Sequence, residues 1–365
     1  MTIGIDASRT VKKLRTGTEQ YSWQILKALA KIETPHQFIL YLPKDPKEIK
    51  HLKKDELEFW ENLPQNFLIK VIKFRKFWTL IGLSIEMLKN PPDVLFVPAH
   101  ALPIILPKKT VITLHGTEYI DYKEAYSKFD RWYLNYTTKK ALQEASKVIT
   151  VSHTAKKKFF RYYPSSDPSK VVTIYHGVEC VDPELENGQV NEKPYFLFIG
   201  SLVKWKNIDF LIKAFQTLAR KYDLIIVGNK TGYYQELKNI CHKLNIEKEV
   251  QFLGYVSEKK KWQLLTAAEA LVEPSLSGGF GMTIYEAMCA ETPVCLADTE
   301  LFREVAGNAG WYFNIKSEVS LTDSLNKIIN NNDLRNKKTS LGKELIRKAD
   351  WTQVAKDTLK VITEA

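Results

Sequence analysis

Two series of short apolar runs, each run followed by a stretch of helical periodicity, constrain this chain more than any other feature. The first series reads IGIDA, FILYL, FLIKVI, VLFVP, TVITLH, KVITVS and VVTIY. The second reads YFLFIG, DLIIVG, VQFLG, ALVEPS and PVCLA. Runs of this length that stay apolar without alternating suit strands covered on both faces. Between the first two runs, Tyr21, Ile25, Leu29 and Ile32 recur at helical spacing. Strand–helix alternation makes βαβ units, and these build parallel sheets. The series are separated by ECVDPELENGQVNEKP, Glu179 to Pro194, which is polar and has no period. Its Pro and Gly mark it as a linker. The expected class is α/β, with parallel-sheet domains over 1–180 and 195–349 and a linker over 181–194. A last helix, 350–365, follows an already complete domain. A length of 365 residues supports two such cores.

Charge is distributed unevenly. The formal net charge is +11, and residues 1–180 hold all of it, with 29 Lys and Arg against 18 Asp and Glu. The asymmetry fits an anionic surface, substrate or polymer facing the first domain, or a solvated lysine-rich face. No nucleic-acid recognition motif accompanies it, so nucleic acid is not an expected partner. The segment KVIKFRKFWTLIGL, Lys70 to Leu83, mixes basic and aromatic residues. It suits either a membrane interface or a strand running into a partly buried helix. No apolar run nears the roughly 18 residues of a membrane span. The opening MTIGIDAS enters a strand without a signal-peptide pattern. Cys180, Cys241, Cys289 and Cys295 make no C-x-x-C pair and no zinc-finger spacing with histidine. Reduced thiols in a cytoplasmic protein are expected.

Ligands of open parallel sheets bind at the carboxyl ends of the strands, so residues there carry the candidate chemistry. After ALVEPS come Gly278, Gly279 and Gly281, then a helix expected to begin near Thr283. Glycines admit close backbone approach, and a helix start offers unpaired N–H groups, which together suit a phosphate or diphosphate. Thr283-x-x-Glu286 also reads as a capping box, which needs no ligand. After YFLFIG, Lys206 can reach a phosphate as a point charge. After TVITL, His115 can donate a hydrogen bond, move a proton, or simply be held at a strand end. Gly17, in RTGTEQY, opens the first helix.

Taken together, TGTEQY, TLHGTEY, VITVSHTAKKKF, VVTIYHGVE, FIGSLVKWKNIDFLIKAF, QFLGYVS, PSLSGGFGMTIYEAM, ETPVCLADTELFREVAGNAGWYF and WTQVAKDTLKVI resemble the retaining family 4 glycosyltransferases of the GT-B fold. The resemblance covers nearly the whole chain and is nearest to the mannosyltransferase-like branch. It implies two Rossmann-like domains facing across a cleft, with the last helix packing back on the first. The second domain then binds a nucleotide-diphosphate sugar, GDP- or UDP-linked, and the first binds a glycan or lipid-linked acceptor.

The resemblance also implies roles for single residues. Glu286 matches the second Glu of the family's Glu-x7-Glu motif and would hold the ribose hydroxyls. Gly281, Met282 and Thr283 would turn N–H groups to the diphosphate, and Lys206 matches a phosphate-binding lysine. Val256 falls where backbone meets the base, His115 approaches the donor sugar, and Gly17 lies in the loop facing diphosphate and acceptor. Gly278, Gly279, Phe280 and Ser201 complete the donor set, and His115, Lys206 and Glu286 the catalytic one. Gly278 stands in place of the first Glu of Glu-x7-Glu, Ser201 in place of an arginine, Trp205 in place of a second arginine, and Gly116 in place of an aspartate. The nucleotide end of the site is thus better kept than the sugar end.

The expected activity is retaining, metal-independent sugar transfer in surface glycan or glycolipid synthesis. No cofactor or metal is expected, since no Asp-x-Asp occurs. A cytoplasmic place, peripheral on an anionic membrane, goes with that activity. The departures leave open a binding protein with a degenerate donor site, and the fold itself leaves open a sugar-nucleotide epimerase.

Overall fold

The computed structural model describes residues 1–181 and 191–365. Most of the expected linker therefore lies outside the described residues. The chain divides into two compact units, each built on one parallel sheet. The first comprises 1–120, 126–177 and 351–365; the second comprises 121–125 and 178–350.

The first unit holds β1 (Thr2–Asp6), β2 (Gln37–Leu42), β3 (Phe67–Val71), β4 (Val94–Val97), β5 (Thr110–Leu114), β6 (Lys147–Thr150) and β7 (Val171–Thr173). Their order is β3-β2-β1-β4-β5-β6-β7, and every pairing is parallel. Each of the seven apolar runs forms one of these strands. Ile3, Phe38, Leu95, Phe96, Val111, Ile112, Val148 and Ile149 are fully buried. That two-sided burial is why the runs do not alternate.

The helix Gly17–Leu29 buries Tyr21, Ile25 and Leu29, as their spacing requires. It stops short of Ile32, which is half-buried beyond its end. Its start is fixed by Thr16 and Glu19, which cap each other's backbone N–H groups. The closing helix Trp351–Thr363 packs on it within the same unit, with the Trp351 and Tyr21 rings 5.8 Å apart.

The second unit holds β8 (Tyr195–Ile199), β9 (Asp223–Val227), β10 (Val250–Gly254), β11 (Ala270–Glu273), β12 (Val294–Ala297) and β13 (Trp311–Phe313). The order is β10-β9-β8-β11-β12-β13, again all parallel. The order reverses between β8 and β11, the switch point at which such sheets receive ligands. Gly228, just beyond β9, has φ 154° and packs directly on backbone; a Cβ there would sit 1.7 Å from the Gly200 carbonyl oxygen. Among the apolar runs of this half, β13 has no counterpart, because WYF is three residues long behind a Gly and carries too little pattern to read.

One expectation fails. Cys180 and Cys289, 109 residues apart, form a disulfide with Cα atoms 5.4 Å apart. Cys241 and Cys295 are free and buried. Folding brings the end of the helix Met282–Cys289 against the segment entering the second unit, and no spacing rule in the sequence reports that meeting.

Candidate functional site

In the second unit the candidate donor residues gather beyond the carboxyl ends of the strands. The chain leaves β8 through Gly200 and Ser201 and makes a single 3₁₀ turn, Lys204–Lys206. It leaves β11 through Pro274–Gly281. The two exits are tied together: the Leu276 N–H donates to the Trp205 carbonyl at 2.9 Å. Lys206 reaches across, its Nζ 3.3 Å from Glu273 Oε2 at the end of β11. Gly278 and Gly279 are half-buried in this loop, and Phe280 is buried edge-on against Tyr285 at 4.9 Å. A Cβ at Gly278 would fall 3.2 Å from Leu301 Cδ2, so a larger residue there needs Leu301 to move. Val256 lies in the exit from β10, half-buried.

The helix that follows, Met282–Cys289, starts at Gly281, whose φ of 103° is the left-handed geometry that glycine tolerates best. No side chain caps it. Thr283 is already inside the helix, so the capping box expected from Thr283 and Glu286 does not form. Glu286 instead accepts from Lys261 Nζ at 2.7 Å. Lys261 also meets Glu258 at 2.8 Å. Burial pushes the Glu286 carboxyl above its usual range, against the pull of Lys261. Burial works against the Lys261 charge too, but Glu286 and Glu258 outweigh it and raise its pKa. The first turn of this helix follows the glycine loop directly, and a lysine, Lys206, is tied to that loop through the Trp205 carbonyl and Leu276 N–H. Such an arrangement can hold an anion.

In the first unit, His115 follows β5 and is 9% exposed. Its Nε2 lies 3.1 Å from the Pro98 carbonyl. A carbonyl only accepts, so Nε2 carries the proton and Nδ1 is left as an acceptor. Burial, opposed by Pro98 and Glu19, lowers its pKa to about 4. His115 is therefore neutral at pH 7.

The ring packs edge-on to Tyr21 at 4.8 Å and lies 5.3 Å from His100 and 5.9 Å from His176. Burial first, then His115, also depresses His100 and His176. Gly17 is exposed at the first position of its helix. Beside it, Glu19 accepts from Arg9 Nη1 at 2.9 Å. A Cβ at Gly116 would meet the Glu118 carboxylate at 2.5 Å, so Glu118 occupies the space a side chain at 116 would take.

Sequence reasoning missed Glu273, Lys261, His100, His176, Arg9 and Glu19. Glu273 was visible as a charge inside the apolar run ALVEPS, where a strand buried on both faces has no evident use for one. Lys261 lay in a run of three lysines, EKKKW, that reads as solvated.

The segment Lys70–Leu83 is a strand end, a wide π turn (Trp78–Gly82) and the start of the helix Leu83–Lys89. Lys70 pairs with Glu86, and Trp78 Nε1 donates to the Ile72 carbonyl at 2.9 Å. Phe77, Ile81, Ile85 and Leu88 follow at helical spacing and are exposed, Leu88 at 67%. Ile104 and Ile105, also exposed, lie alongside, their N–H groups donating to Ser84 Oγ.

Two family profiles divide the chain as its sheets do. "Glycosyltransferase Family 4" matches residues 15–182, and "Glycosyl transferases group 1" matches 184–344. The O-antigen chain mannosyltransferase RfbU of Salmonella typhimurium is 31% identical over 229 residues, 63% of this chain and 63% of RfbU. The chain thus spans less than two thirds of the length of that relative. The O-antigen chain mannosyltransferase B of Escherichia coli is 25% identical over 69% of each chain. Among solved structures, Anabaena HepE in complex with UDP and glucose aligns over 100% of both chains, with a TM-score of 0.74 and 18% identity. WaaG, a glycosyltransferase involved in lipopolysaccharide biosynthesis, aligns over 100% of both, with a TM-score of 0.73 and 15% identity. With its two parallel-sheet units and these two profiles, the chain belongs to the family 4 glycosyltransferases.

Proposed function

We propose that this protein transfers a sugar, with retention, from a nucleotide-diphosphate sugar to an acceptor hydroxyl in surface glycan synthesis. The observation that carries the reading is the Lys206 turn tied to the glycine loop at the switch point of the second sheet. Negative charge gathers on the diphosphate as the glycosidic bond breaks. Lys206 and the N–H groups of Gly281, Met282 and Thr283 stabilise it where it develops, without a metal ion. Glu286, released from Lys261 or sharing it, takes the ribose hydroxyls. Ser201, Gly278, Gly279 and Phe280 line the loop, and Val256 meets the base. In the first unit, His115, neutral, is assigned to the donor sugar and Gly17 to the diphosphate and acceptor.

The mannosyltransferase relatives favour a transferase over a binding protein or an epimerase, and HepE was solved with UDP and with UDP-glucose. The donor here is UDP- or GDP-linked. The acceptor is a glycan on a lipid carrier, and the protein meets it at an anionic membrane. The exposed stripe Phe77, Ile81, Ile85 and Leu88, followed in space by Ile104 and Ile105 and flanked by Lys73, Arg75 and Lys76, supports that partner.

Thermal shift with UDP, GDP and their sugars tests the donor reading. A ligand that binds only the folded state raises the melting temperature. A rise with one nucleotide diphosphate and not with its nucleoside is the expected result.

A further inference from the structure

Glu273 is a carboxylate buried at the switch point, beside the lysine assigned to the diphosphate. It closes β11 with 2% of its surface exposed. A buried carboxylate is costly unless its oxygens are met by donors. Here both are met. Oε1 accepts the N–H of Ser275 at 3.3 Å and the Ser275 hydroxyl, and Ser275 is fully buried. Oε2 accepts from Lys206 Nζ at 3.3 Å.

The lysine is held from other sides as well. Its Nζ lies 4.9 Å from the centre of the Trp205 ring, and the Trp205 carbonyl takes the Leu276 N–H at 2.9 Å. The chain Ser275–Glu273–Lys206 therefore runs from the exit of β11 to the exit of β8. A free lysine samples many rotamers and loses that freedom when it binds an anion. These contacts select one before any ligand arrives.

We propose that Glu273 is a positioning residue for Lys206. It fixes the ammonium over the strand ends, balances its charge while the site is empty, and is itself locked by Ser275. The inference rests on the diphosphate-binding role proposed for Lys206. Glu273 does not touch the diphosphate, and its effect passes through the lysine.

The experiment combines calorimetry with a direct view of the ammonium. UDP, GDP, uridine and guanosine are titrated into wild type, Glu273→Gln, Lys206→Met and the double variant. The gain in affinity from nucleoside to nucleoside diphosphate isolates the diphosphate contact. Glu273→Gln should reduce that gain at least fivefold and leave the nucleoside unchanged. In the Lys206→Met background the same substitution should cause no further loss. A loss that persists without Lys206, or no loss with it, overturns the inference.

Independently of any ligand, ¹⁵N-lysine spectra of the wild type should show a slowly exchanging ammonium signal. It should be absent from Lys206→Met and lost or averaged in Glu273→Gln, which folds as an isostere. An unchanged signal in Glu273→Gln overturns the inference by itself. If neither nucleotide binds wild type, the donor reading fails, and the ammonium signal alone decides the role of Glu273.

Discussion

At the scale of single residues, Glu286 and Lys261 show how far a sequence can be read. Glu286 stood out as the only charge in PSLSGGFGMTIYEAM. Its spacing from Thr283 suggested a cap, because i to i+3 is the pattern of a capping box. The helix instead starts at Gly281, and the carboxylate turns to Lys261, a partner 25 residues away that no local rule reports. Both side chains are only about one-eighth exposed (12% and 13%). Lys261→Met leaves a buried carboxylate without its cation and should cost about 3–5 kcal/mol. Adding Glu286→Gln should restore much of that loss, measured by urea unfolding. Glu286→Ala should weaken nucleotide binding by about 1.5–3 kcal/mol, the range for hydrogen bonds to a charged group. Unchanged affinity in calorimetry leaves Glu286 a structural partner of Lys261 alone.

His115 gives a prediction in pH. Its folded pKa, about 4, lies below the ordinary histidine value of 6.5. A depressed histidine is neutral in the fold and takes up its proton on unfolding. Its contribution is therefore complete above pH 6.5 and is lost as pH falls toward 4. Wild type should lose about 3 kcal/mol more than His115→Gln over that interval. Parallel stability curves for the two proteins contradict the buried, neutral assignment. Position at a strand end was legible for His115. The neighbouring His100 and His176 were not, since they leave β4 and β7 and meet it only through the order of the sheet.

At the scale of elements, apolar runs reported strands well because burial on both faces removes the polar positions that blur a pattern. β13 escaped because three residues, Trp311–Phe313, carry no period. Helix starts were less legible. Thr16 caps through its side chain and Gly281 through its backbone geometry, and a glycine leaves no chemical trace of which residue begins the helix.

The segment after β3 combines tied and exposed residues. The basic and aromatic residues of Lys70–Leu83 suit a membrane interface; Lys70 is tied to Glu86 and Trp78 to the Ile72 carbonyl, while Lys73, Arg75, Lys76 and Phe77 are exposed. The exposed apolar face begins within that segment, at Phe77 and Ile81, and continues through Ile85 and Leu88. Ile85→Glu with Leu88→Glu should abolish sedimentation with vesicles of anionic phospholipid while leaving the melting temperature within a few degrees, since both side chains are exposed. Lys73→Glu with Lys76→Glu should weaken the same binding and make it less sensitive to salt. Equal recovery of wild type with neutral and anionic vesicles would contradict a docking role for this face.

At the scale of the molecule, the two sheets and their parallel order follow from alternation alone, which is why the family resemblance and the fold agree. The pairing of Cys180 with Cys289 does not follow from it, because a contact across 109 residues depends on where two elements end in space. Peptide mapping without reductant should recover the two cysteines as one linked peptide, and Cys241 and Cys295 as free thiols.

The central claim is that this chain transfers a sugar from a nucleotide-diphosphate donor, with Lys206 carrying charge from the leaving diphosphate. Release of nucleoside diphosphate from a panel of UDP- and GDP-sugars, with a lipid-linked glycan extract as acceptor and with chelator present, tests it most directly. At least one donor should turn over. The rate should persist in chelator and fall at least about 100-fold in Lys206→Ala, the order of loss seen when one oxyanion-stabilising donor is removed. No release from any donor, or an undiminished rate in Lys206→Ala, would contradict the claim.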